Sequence, residues 1–160
     1  MSKNEDNTLR IEDLENIIDA YGRTYAYEFD IALPNGKIAG KVGDTNAPLR
    51  REREWAKIYN GWIDVRFNYL GTTDIDKDTF FRDYSIHDYG KQHFGWRQVP
   101  REDFPANEHY TQEAYYGANA KNVEQAIKQL REDVRDGKAT VKIYHRKDNN
   151  GSNDVATEPL

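Results

Sequence analysis

The chain contains no cysteine. That absence removes disulfides, thiol nucleophiles and cysteine-ligated zinc together, and it suits a reducing compartment. No apolar run approaches the roughly 18 residues of a membrane-spanning helix, and the first residues, MSKNEDNT, carry no apolar signal-peptide core. The expectation is a cytoplasmic protein with no membrane partner. Positive charge is not in excess. With 23 Lys and Arg against 28 Asp and Glu, the net charge is -5, which gives no general attraction for nucleic-acid phosphates. A Walker loop, a dinucleotide-binding glycine pattern, a nucleophile-elbow serine and internal repeats are all missing. No motif therefore calls for a cofactor or a metal, and none selects a reaction.

What remains is enough for one domain. At 160 residues, with 37% hydrophobic residues including eleven Tyr and three Trp, the chain can bury a modest core. Its 32% of charged residues imply a heavily solvated surface. The organisation reads as a flexible N-terminus over 1–8, a single α+β domain over 9–146 and a disordered polar tail over 147–160.

Thr8 is placed to cap a first helix, in which Ile11, Leu14, Ile17, Ile18 and Tyr21 recur at helical spacing before Gly22. Tyr25, Tyr27, Phe29, Ile31 and Leu33 then alternate with Ala26, Glu28, Asp30 and Ala32, the pattern of a strand with one buried face. Asn35-Gly36 predicts a two-residue type I′ hairpin that pairs Leu33 with Ile38, Ile31 with Gly40, Phe29 with Val42 and Asp30 with Lys41. Pro48 opens a short charged helix ending at Asn60-Gly61, and a third strand follows through Ile63, Val65, Phe67 and Tyr69. A short helix is expected over 76–84 and a long loop over 86–108, where Gly90, Gly95, Pro100 and Pro105 interrupt the pattern. Asn122 is placed to cap the last helix, whose apolar stripe is Val123, Ala126, Ile127, Leu130 and Val134. Gly137 ends it, and a final strand turns Val141 and Ile143 inward. The fold class is α+β: a small, mostly antiparallel sheet, made of the N-terminal-half hairpin plus two further strands, packed against two or three amphipathic helices.

Three groups of residues could carry function. Asp74, Asp76 and Asp78 have the alternate spacing that opens a calcium loop. Thr79 holds the place needing glycine, however, and Ser85 the place of the bidentate Glu, so the trio reads as carboxylates at a helix N-terminus. Joined to Asp83, Tyr84, Asp88 and Tyr89, it makes an acidic aromatic contact face, the leading candidate, because tyrosines give large contact area at low entropy cost. His87, Asp88, His93 and His109 are the residue types of a metal site or an acid–base pair, although the interval from His87 to His93 fits neither helical nor strand spacing. They define an alternative, a small hydrolase or metal-dependent enzyme. Arg50, Arg51 and Arg53 beside Trp55 suit a nucleic-acid accessory role, diluted by Glu52 and Glu54.

Two stretches, Asn35-Gly36-Lys37-Ile38-Ala39-Gly40 and Ser85-Ile86-His87-Asp88-Tyr89 with its aromatic-acidic lead-in, resemble antirestriction proteins of the ArdA type. The resemblance implies a non-enzymatic product of a phage or plasmid that inhibits a host restriction enzyme by presenting carboxylates in a pattern like DNA phosphates. The cluster from Arg50 to Arg53 departs from such a surface. The expected function is thus a small acidic protein-binding module that inhibits a host defence enzyme. Its expected partner is another protein, such as a host nucleic-acid enzyme, with direct nucleic-acid binding the weaker alternative.

Overall fold

The computed structural model describes residues 24–59, 67–106 and 109–146, together with the backbone of Thr157–Pro159. The predicted first helix, and Ile63 and Val65 of the predicted third strand, lie outside the described residues.

Strands β1 (Tyr25–Ala32) and β2 (Ile38–Thr45) form the central hairpin. Its turn differs from the expected two-residue one. The Leu33 N–H donates to Lys37 O at 2.9 Å and the Gly36 N–H to Leu33 O at 3.0 Å, so Pro34, Asn35 and Gly36 make a three-residue loop. Proline's fixed φ suits the first position, and Gly36 takes φ +85°, the left-handed conformation that closes such loops as a bulge. The register moves by one residue: Ala32 pairs with Ile38, Asp30 with Gly40, Phe29 with Lys41 and Glu28 with Val42. Strand side chains alternate between faces, so this single step turns Lys41 away from Asp30 and onto the aromatic face.

Helix α1 (Pro48–Ile58) lays Trp55 on that face, and the following Tyr59 joins it. Phe67 stacks on Tyr27 and Phe29 with ring centroids 4.4 and 5.2 Å apart, an arrangement worth about 0.5–1.5 kcal/mol per pair beyond the area buried. The other face was expected to be solvated, yet Ala26 and Glu28 on it are fully buried, as is Val42, which the shifted register places opposite Glu28. Strands β3 (Asn68–Thr72) and β4 (Thr79–Phe80) lead to the helix that begins this cover.

That helix, α2, spans Asp83–His93. The sequence placed a helix over 76–84 and a loop from 86, because Gly90 read as a break. Instead Gly90 sits inside α2, where a Cβ would overlap the six-membered ring of Trp96. The glycine is required by packing rather than by backbone freedom. Residues 76–79 form a turn in which Asp76 Oδ1 accepts from the N–H groups of Asp78 at 2.8 Å and Thr79 at 2.9 Å.

After β5 (Arg97–Gln98), a short 3-10 turn at Arg101–Asp103 and β6 (Ala114–Tyr116), helix α3 spans Ala120–Arg135. Its cap is Asn119, three residues before the expected Asn122. The Asn119 side chain accepts from the Asn122 N–H at 2.9 Å and the Asn122 side chain accepts from the Asn119 N–H at 3.0 Å, a reciprocal capping box. The expected apolar stripe is buried. Covering Ile127 and Leu130 alone contributes about 3–6 kcal/mol.

The first sheet has five antiparallel strands in the order β3-β1-β2-β6-β5. A second joins β4, β7 (Lys142–His145) and β8 (Thr157–Pro159), so part of the tail read as disordered pairs as a strand. The architecture is α+β, with α1 on one face of the main sheet and α2 and α3 on the other.

Candidate metal centre

Four elements meet at the C-terminal half of β2. Helix α2 presents Asp83 and His87, four residues apart and therefore on one helical face. Its Arg82 N-cap makes no side-chain cap bond. Asp44, at the end of β2, takes that role, accepting from the Asp83 N–H at 3.0 Å and from Arg82 Nε at 2.8 Å. Val42 then ties the third member in place. Its N–H donates to Glu113 O at 3.0 Å, just before β6, while its carbonyl accepts from His87 Nε2 at 2.8 Å. One ligand atom from each of Asp83, His87 and Glu113 lies within 4.8 Å of the others.

Lys41 is buried beside this trio. Its Nζ donates to Glu113 Oε1 at 2.5 Å and to the Tyr27 hydroxyl at 3.0 Å, and it stands 4.7 Å from the Trp55 ring centroid. The site needs a glycine opposite Tyr27, because a Cβ at Gly43 would stand 2.5 Å from the Tyr27 hydroxyl and 2.6 Å from Lys41 Nζ. A small polar cavity of about 200 Å³ opens here, lined by Tyr27, Lys41, Arg51, Arg82, Asp83 and Glu113 among others.

The electrostatics divide the carboxyls. Burial, with the Asp44 and Glu113 charges, pushes Asp83 up to about 8. Burial also pushes Glu113 up, but the charge and hydrogen bond of Lys41 outweigh it and hold Glu113 below the usual carboxylate range. Burial pulls Lys41 down, and the Tyr27 and Glu113 oxygens more than reverse that, so the ammonium persists. His87 is lowered by burial, so it is neutral at pH 7. A carbonyl can only accept, so Nε2 carries the proton and Nδ1 keeps its lone pair. Two carboxyl groups and a neutral imidazole form a donor set for a divalent cation.

The other residues singled out in the sequence do not gather here. His93 is exposed with its ring tilted against that of Tyr89, centroids 4.2 Å apart, while His109 meets the edges of Trp55 and Tyr59. Asp88 points outward, 3.6 Å from Lys91. Nor do the seven residues of the acidic aromatic set form one outward face. Asp74 is buried against Arg146 at 2.5 Å, Asp83 turns into the cluster, and Tyr89 is buried with its hydroxyl on Asp133 at 2.7 Å. Asp76 and Asp78 stay exposed on their turn, and Tyr84 is exposed beside Tyr144. Arg50 and Arg53 are exposed on α1, but Trp55 is buried, with its Nε1 on the Tyr27 hydroxyl at 3.1 Å, and offers no stacking face to a base. Sequence reasoning missed Lys41, Glu113 and Asp44. A corrected hairpin register would have placed Lys41 among the aromatics, whereas Glu113 has no local signal.

The chain matches no protein-family model, no curated protein and no solved structure. What the fold and the site define is an α+β protein with a partly buried carboxylate–imidazole–ammonium cluster beside a polar cavity.

Proposed function

We propose that the protein is a divalent-metal-dependent hydrolase whose ion is held by Asp83, His87 and Glu113. The convergence of these three side chains, two of which, Asp83 and Glu113, also line a polar cavity, carries the reading. The Val42 carbonyl fixes the His87 ring in the way that metal-ligating histidines are commonly held, through the nitrogen that does not bind the ion. Lys41 keeps Glu113 ionised and in position. A divalent ion at such a place polarises an ester or amide oxygen and acidifies water.

The test is calorimetric titration of Mn²⁺ and Zn²⁺ into the wild-type protein and into His87→Ala and Glu113→Gln. The expected result is one ion bound per chain and loss of at least ten-fold in affinity in both variants, with far-UV circular dichroism unchanged. No binding to the wild type, or equal binding to all three, would remove the metal reading.

The protein-contact reading keeps one specific observation. Tyr84 and Asp88, both exposed, line a second cavity of about 500 Å³ between α2, α3 and the segment before β7. If an inhibitor surface for a host defence enzyme exists, Tyr84→Ala with Asp88→Asn weakens capture of that enzyme and lowers its salt sensitivity. Unaltered capture counts against it.

A further inference from the structure

We propose that the cavity beside Asp83, His87 and Glu113 seats a phosphoryl group, which makes phosphate esters the substrate class of the centre. This inference rests on the metal-dependent reading above. Its first support is size. About 200 Å³ is below the roughly 300–1,000 Å³ of pockets that enclose whole drug-sized ligands, so the cavity takes one compact polar group.

The second support is charge. The lining holds three cations, Lys41, Arg51 and Arg82, and three carboxyls, Asp44, Asp83 and Glu113, so it is neutral when every group is ionised. A divalent ion raises it to a net charge of two, which complements a dianion. The third support is the direction of the donors. The Tyr27 hydroxyl already accepts from Lys41 Nζ at 3.0 Å and Trp55 Nε1 at 3.1 Å, which occupies both lone pairs and leaves its own proton to donate. Arg82 uses Nε and one terminal nitrogen on Asp44, and among the described residues its other terminal nitrogen makes no hydrogen bond. Arg51 is held by an exposed contact to Glu54 at 3.2 Å, a weak restraint on a guanidinium that reaches the cavity from α1. Donors arriving from β1, α1 and the start of α2 surround a tetrahedral oxyanion better than a planar carboxylate.

The experiment uses the full chain and inorganic phosphate as the probe, titrated with and without saturating Mn²⁺, for the wild type and Arg51→Gln. The Arg51 side chain is half-exposed and makes one exposed contact, to Glu54, so its loss is expected to leave the fold intact. Phosphate is expected to bind the Mn²⁺-loaded protein at least ten-fold more tightly than the metal-free protein. Arg51→Gln is expected to lose about ten-fold in phosphate affinity while its Mn²⁺ affinity stays within about two-fold. Mn²⁺ binding without metal-enhanced phosphate binding, or an Arg51→Gln phosphate affinity equal to wild type, overturns this inference and leaves the metal centre standing. Failure to bind Mn²⁺ overturns the metal centre itself. Competition by phenyl phosphate and by a short single-stranded oligonucleotide separates a free monoester from a nucleic-acid backbone as the source. Displacement by either supports a phosphoryl seat, and displacement by neither refutes it.

Discussion

Replacing Gly90 by alanine sets two effects against each other, and their magnitudes decide the sign. Alanine is a better helix former than glycine by about 1 kcal/mol, so α2 taken alone gains stability from Gly90→Ala. Against that gain, the new methyl falls on Cε3, Cζ3 and Cδ2 of Trp96, well inside van der Waals contact. The indole cannot easily withdraw. It is 3% exposed and packs between Phe94 and Tyr115, each with its ring centroid 6.1 Å away. Overpacking of this kind costs about 1–3 kcal/mol, and a rigid ring backed on both sides belongs at the upper end. The net expectation is a loss of about 2 kcal/mol. In urea, with a slope of about 2 kcal/mol per molar, the midpoint falls by about 1 M while the slope stays constant. The decisive comparison is a double-mutant cycle. In a Trp96→Ala background the clash is gone, and Gly90→Ala should then stabilise by about 1 kcal/mol. A neutral or stabilising Gly90→Ala in the wild-type background, or the same loss in both backgrounds, would refute the packing explanation of this glycine.

Glu28 makes a second prediction, through pH. Burial, reinforced by Asp30 and partly opposed by the Asn68 hydrogen bond, pushes its carboxyl from 4.5 up to about 9. Between those values the folded chain holds a proton that the unfolded chain has released, so stability is greatest below about pH 4.5 and is lost as pH rises towards 9. Glu28→Gln should match wild type at low pH and exceed it by a few kcal/mol at pH 8, since each unit is worth about 1.4 kcal/mol; parallel curves of Tm against pH would exclude this. At the start of α3, Asn119→Ala removes a capping bond and should cost about 1 kcal/mol by urea denaturation. A larger loss from an alanine at the exposed Lys121 would contradict the cap assignment. Gly36→Ala, forced to φ +85°, should cost about 1 kcal/mol although nothing crowds its Cβ, and a neutral result would argue against the three-residue turn.

The elements that the sequence foretold are those whose cause is local. Five apolar side chains recurring along α3, and four alternating along β1 with Leu33 just after it, each define a face through neighbours a few residues away. The α+β class follows from that periodicity, whereas the cap of α3, expected at Asn122, stands at Asn119. Tertiary structure decided the rest. Gly90 looked like a break, because its reason, the Trp96 ring, exists only once the chain after α2 folds back. The hairpin register turned on whether Pro34 stands inside the loop, and with it the face that Lys41 occupies. Asp83, His87 and Glu113 come from a helix and from the segment before a distant strand, joined through the backbone of Val42. No spacing rule spans such a separation. Periodicity reports which side of an element is buried, while a site assembled from several elements depends on register and packing, which are settled by contacts between residues far apart in the chain.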